Sequence, residues 1–206
     1  MNLAEYRMDF KMVTIGYTNV GKTCIINRAV NDTYDSACQP TIGSANVDKT
    51  VIVDCMEVKL KIWDTAGQEK YRSLAPIYFN GAHGALLVYS VDSEDSFRDL
   101  DFWYNSFIQN CSTSSYYLAL VANKIDLADR VMVDSTSGKE FAKKIGADFF
   151  EVSALTGQGI EEMFQVVASE LMKLQEHECD VANVDFPSDR IVIDIEKTNE
   201  EKKGCC

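Results

Sequence analysis

Residues 16–23 read "GYTNVGKT", a glycine at each end of a six-residue stretch with a lysine and a threonine directly after the second. This pattern binds phosphate when it leaves a strand and opens a helix. Gly16 permits the sharp turn out of the strand, and Gly21 lets the backbone approach a ligand closely. The intervening N–H groups, from Thr18 through Asn19, Val20 and Gly21 to Cys24, then form an anion-binding nest backed by the positive end of a helix. Lys22 supplies a point charge for β- and γ-phosphates, and the Thr23 hydroxyl is a hard oxygen ligand for Mg²⁺.

A phosphate loop fits ATPases, kinases and GTPases alike. "NKID" at 123–126 separates them. The Asp126 carboxylate can accept from both the ring N1–H and the exocyclic amine of guanine, whereas adenine offers an unprotonated N1 there. Asn123 and Lys124 would hold the base pocket, the lysine stem lying along the ring. In "VSAL" at 152–155, the small Ser153 and Ala154, followed by Leu155, let a backbone N–H reach the guanine O6. "WDTAGQE" at 63–69 adds Asp64 for a water-mediated Mg²⁺ contact, Gly67 for an N–H to a γ-phosphate and Gln68 to orient an attacking water.

The elements that must position these residues alternate along the chain. "FKMVTIG" (10–16) reads as a strand and "GKTCIINRAV" (21–30) as a helix. Strand-like runs at 46–54 and 57–63 suggest an antiparallel hairpin. A strand at 84–91 leads to a helix over 94–109, in which Phe97, Leu100, Trp103, Tyr104 and Phe107 recur at helical spacing as core residues. A strand at 116–124, a helix at 136–145, a strand at 148–153 and a helix at 160–174 complete the series. The last carries Ile160, Met163, Phe164, Val167 and Leu171 on one stripe. The fold class is therefore α/β: a mostly parallel six-stranded sheet, one strand antiparallel, with helices on both faces.

Composition sets the outer limits. The 206 residues, 46% hydrophobic and 25% charged, suit one soluble domain over 1–174 and a flexible tail over 175–206. A net charge of −12 argues against nucleic acid as a partner. No apolar run approaches the length of a membrane span, and the start lacks the layout of a secretory signal, so a cytosolic setting is expected. The seven cysteines form no zinc spacing and are expected to be reduced, with Cys24 and Cys55 as small core side chains.

Over residues 8–174 the motifs, in order, resemble those of the Ras-superfamily small GTPases, and within them the Rab family. The resemblance implies a three-layer P-loop G domain. It also makes Thr41 of "PTIG" the switch I threonine that meets Mg²⁺ and γ-phosphate and joins Lys22 and Gln68 in the chemistry, and puts Tyr34 in the place of the aromatic that packs on guanine. "RSLAPIY" at 72–78 is similar to the early-endosomal branch. Thr18 stands where Ras has a glycine, which bears on hydrolysis rate. Asn46 replaces the phenylalanine of "TIGxxF" beside Trp63 and Tyr78, Asn80 replaces the arginine of "YYRGA", and Leu155 replaces the lysine of "SAK".

"GCC" at 204–206 resembles the doubly geranylgeranylated end of Rab proteins, with lipid on Cys205 and Cys206. The tail from 175 holds nine acidic and four basic residues, so the prenyl pair must do most of the anchoring. "RIVIDIE" at 190–196 is similar to the segment by which Rab tails dock on escort and recycling chaperones, and it equally fits a marginal strand or plain disorder. The reading implied is a GTP-binding, GTP-hydrolysing switch with Mg²⁺, intrinsically slow and dependent on an activating protein. It would be loaded by an exchange factor, read by effectors, and located on the cytoplasmic face of an intracellular, endosomal or other vesicle, membrane. Two rivals stand beside it: a slow-turnover GTP-binding scaffold on membranes with altered effector selectivity, motivated by Thr18 and the altered effector residues, and an ATP-dependent kinase, which "NKID" disfavours.

Overall fold

The computed structural model describes residues 7–182; Cys205, Cys206 and the 190–196 segment lie outside them. Six strands, β1 (Arg7–Gly16), β2 (Ser44–Val53), β3 (Met56–Thr65), β4 (Gly84–Ser90), β5 (Tyr117–Asn123) and β6 (Asp148–Glu151), form one sheet in the order β2-β3-β1-β4-β5-β6. Only β2 runs antiparallel, paired to β3 from Ser44↔Thr65 to Val53↔Met56; the remaining pairs are parallel.

β4 and β5 are buried along their whole length because both sheet faces are covered. Side-chain alternation sorts each strand between two cores. Leu86 and Val88 join Phe10, Met12, Ala119 and Val121 on one face. Ala85, Leu87 and Tyr89 join Val13, Ile15, Leu118 and Leu120 on the other. The first core is covered by α1 (Lys22–Asn31) through Ile25 and Ile26 and by α6 (Ile160–Ala182) through the 160–171 stripe. The second is covered by α2 (Ala75–Phe79), α3 (Glu94–Arg98), α4 (Leu100–Asn110) and α5 (Ser135–Ile145), with Trp103 and Phe107 fully buried. Each such aromatic or aliphatic side chain contributes roughly 1.5–3 kcal/mol by leaving water. Among the described residues no helix is long and apolar enough to cross a membrane.

Four sequence readings need correction. Cys55 is exposed, not core: with Asp54 it makes the two-residue turn of the β2–β3 hairpin, both at positive φ (65° and 47°), which faces solvent. The helix expected over 94–109 is interrupted at Asp99, whose carboxylate accepts from Arg72 and from the Trp103 indole N–H. The strand expected over 148–153 ends at Glu151, and the next residues turn towards the cleft described below. The last helix runs eight residues beyond 174 to Ala182. Residues 69–74 form a 3₁₀ helix leading into α2, an element that apolar periodicity did not signal.

Candidate functional site

The phosphate loop occupies the turn between β1 and α1, at the carboxyl edge of the parallel strands where α/β sheets bind ligands. Gly16 is at φ 144°, and a Cβ there would overlap the Val88 carbonyl of the neighbouring strand. Gly21, at φ 92°, caps α1 with no side-chain hydrogen bond, leaving the first-turn N–H groups for a ligand. The Lys22 ammonium folds back over the loop, donating to the carbonyls of Gly16 (2.9 Å) and Tyr17 (2.8 Å). Burial pushes it down to about 8, offset in part by the charges of Asp64 and Asp99. An anion placed against it would restore the favour for its charged form.

Beside the loop, three oxygens meet. The Thr23 hydroxyl donates to Asp64 Oδ2 (2.6 Å), the Thr41 hydroxyl donates to the same oxygen (3.2 Å), and the two hydroxyls lie 2.8 Å apart. Asp64 Oδ1 is buried with no hydrogen-bond partner. Burial raises the Asp64 carboxyl, opposed by the Thr23 hydroxyl and the Lys22 charge. Two hydroxyls and a buried, half-unsatisfied carboxylate are the donor set a small hard cation takes, so these residues fit Mg²⁺. Gly67 presses on the same loop: a Cβ on it would stand 2.5 Å from the Tyr17 carbonyl oxygen and 2.7 Å from that of Gly16. Gln68 follows at the mouth of the 3₁₀ helix, its side chain without a hydrogen bond among the described residues.

The opposite end of the cleft is built on the ends of β5 and β6. Asn123, almost wholly buried, donates from Nδ2 to the Val20 carbonyl (2.8 Å) and accepts at Oδ1 from the Ala154 N–H (3.1 Å). It thereby ties the phosphate loop to the 153–157 turn. Lys124 sits at φ 67° with its ammonium 3.4 Å from Asp92. Ser153 donates to Asp126 Oδ1 (2.5 Å) and accepts from the Thr156 N–H (3.1 Å). Asp126 Oδ2 keeps no protein partner among the described residues.

These groups enclose one cleft of about 340 Å³. Thr18, Asn19, Gly21, Lys22, Thr23 and Cys24 line one side, Tyr34 and Thr41 a second, Gly67 and Gln68 a third, and Asn123, Lys124, Asp126, Ala154 and Leu155 the far end. Gly16, Val20, Asp64 and Ser153 stand behind that wall and act on it through the contacts above. Cys38, Gln39 and Thr65 also line the cleft and were not singled out from sequence; Thr65 anchors β3 by donating to the Thr14 carbonyl (2.7 Å). Arg28, also missed, grips the 153–157 turn from outside. Of the altered surface positions, Asn46 opposes Trp63, which stacks on Tyr78 with centroids 5.7 Å apart. Asn80 accepts from Ser112 (2.6 Å).

A three-layer α/β sheet with a glycine-lysine-threonine loop at its carboxyl edge, at one end of a cleft whose other end carries Asp126, has the architecture of a phosphate-loop domain. Residues 11–173 match the model of the Ras family, and the chain belongs to that family. It is accordingly a GTP-binding switch with GTPase activity.

Proposed function

We propose that this chain is a Rab-type switch that regulates vesicle or membrane trafficking, of the endocytic branch. The observation that carries the switch is the placement of Thr41 and Gly67–Gln68 on two segments that close over one phosphate loop. A γ-phosphate adds contacts to both segments that a diphosphate lacks, so both are ordered with GTP and released after hydrolysis. Lys22 holds the phosphates, Gln68 orients the attacking water, and Asp126 selects guanine. Thr23, Thr41 and, through water, Asp64 would hold Mg²⁺, which when bound would supply charge neutralisation for the phosphate oxygens. Turnover is slow until an activating protein completes the charge stabilisation. An exchange factor, effectors and an escort or recycling chaperone complete the cycle.

Trafficking rests on the "GCC" end and on "RSLAPIY", which together favour a lipid-anchored protein on the cytoplasmic face of a vesicle or endosomal membrane, exchanging with cytosol. A tagged full chain is expected on such membranes, and a Cys205→Ser, Cys206→Ser variant in the cytosol. Equal distributions of the two would refute the anchoring. The slow-turnover scaffold has one observation in its favour, the Thr18 side chain in the cleft wall. Single-turnover hydrolysis that no activating protein accelerates would establish it instead.

A further inference from the structure

Arg28 lies on α1, yet its guanidinium serves a turn 126 residues away in sequence. Its Nε–H donates to the carbonyl of Ala154 (3.1 Å) and an Nη2–H to the carbonyl of Leu155 (2.8 Å). From Nη1 it donates to the backbone carbonyl and to the side chain of Asp32, each at 3.0 Å. The side chain is 17% exposed, and its stem runs alongside Gly157 of the same turn. One planar fork therefore closes on two successive carbonyls, which no point-charge lysine reproduces.

Peptide planarity turns that grip into a statement about the other side of the turn. In a trans peptide the C=O of one residue and the N–H of the next point in opposite directions. Fixing the Leu155 carbonyl on Arg28 sends the Thr156 N–H the other way, where it donates to Ser153 Oγ (3.1 Å). Fixing the Ala154 carbonyl on Arg28 sends the Leu155 N–H away from Arg28. Leu155 lines the cleft, and its N–H has no partner among the described residues. The neighbouring Ala154 N–H is already taken by Asn123.

We propose that Arg28 is a positioning residue for base recognition: by holding the Ala154 and Leu155 carbonyls it aims the Leu155 N–H at the O6 of guanine. This rests on the guanine reading of the cleft. Arg28 does not line the cleft, so its effect must appear as a change in how the O6 position is read and not only as lower stability.

The test compares release of GDP and of 6-thio-GDP, whose sulfur is a poor acceptor at that one position, from the full-length protein. Wild type is expected to release the thio analogue about tenfold faster than GDP, the effect of one positioned hydrogen bond. Arg28→Ala is expected to speed GDP release about tenfold while changing the analogue little, which brings the ratio near one. Arg28→Lys, which keeps charge and most of the stem, is expected to lower the ratio as well. Asp32→Asn, which leaves both carbonyl contacts in place, is expected to keep it. If Arg28→Ala or Arg28→Lys accelerates both nucleotides equally and preserves the wild-type ratio, the positioning role is overturned while the guanine reading stands. A wild-type ratio of one overturns the O6 contact, and the role of Arg28 with it.

Discussion

Gly67→Ala adds one methyl group at the closest approach between the 66–68 segment and the phosphate loop. Its carbon would stand 2.4 Å from Lys22 Nζ, 2.5 Å from the Tyr17 carbonyl oxygen and 2.7 Å from that of Gly16, where ordinary contact begins at 3.4 Å. The two oxygens are backbone atoms held by β1 and the loop and cannot turn aside, and the Lys22 ammonium is fixed by hydrogen bonds to the same two carbonyls. Relief of the backbone contacts alone requires the segment to retreat by about 0.9 Å. Overpacking of this kind costs roughly 1–3 kcal/mol in the closed arrangement. Gln68 moves with its neighbour, and misplacing a catalytic group by about 1 Å lowers a rate by up to about a hundredfold. In single-turnover hydrolysis of preloaded GTP, Gly67→Ala is therefore expected to slow the step by about ten- to a hundredfold. Its GDP release, which needs no closure, should match wild type. Hydrolysis at the wild-type rate would refute the claim that this contact closes the site. A collapse of GDP binding would show that the methyl group had disrupted the loop itself.

Gln68→Leu is expected to accumulate the GTP form, read as the fraction of GTP in nucleotide extracted from the protein, since the side chain that orients water is gone. Equal GTP lifetimes in this variant and wild type, with and without an activating protein, would remove Gln68 from the chemistry. Arg72 binds Asp99 through two contacts of 2.7 and 2.6 Å and stacks on Phe102 at 4.5 Å, fastening the 3₁₀ segment to α4. Arg72→Ala is expected to lower the Tm of the GDP-loaded protein by about 4–8 °C, for a loss near 2 kcal/mol. Arg72→Lys should recover little of it, because an ammonium cannot keep the planar stack on Phe102 while it reaches Asp99. An unchanged Tm in Arg72→Ala would mean that the pair is solvated and idle.

What was legible in the sequence was what depends on neighbours along the chain. The continuous apolar runs of β4 and β5 announce burial on both faces, and the 160–171 stripe announces a helix on one core. The phosphate loop was readable because its ligands are consecutive backbone groups set by two glycines. Less legible were features decided by distant contacts. Nothing around Arg28 in "INRAV" shows that it meets Ala154 and Leu155, and nothing in "NKID" shows that Asn123 bridges Val20 to Ala154. The break at Asp99 follows from its engagement with Arg72, again far along the chain. α2 escaped notice because it is short and leaves Ile77 68% exposed, so its apolar residues trace no buried stripe. Cys55 misled because its residue type argues for burial while its hairpin position requires exposure.

The antiparallel pair β2–β3 opens at the cleft, and there its two strands remain stapled: Ser44 pairs with Thr65, and the Ala66 N–H donates to the Gly43 carbonyl at 2.9 Å. Thr41 lies three residues before one strand of this ribbon, and Gly67 two residues after the other. The two loops proposed to sense the ligand are therefore extensions of a single ribbon, and on that proposal displacing one pulls on the other through those rungs. Such a device carries one bit, not two. A partner that grips either end learns the state of both, and a ligand that satisfies only one end leaves the message unsent.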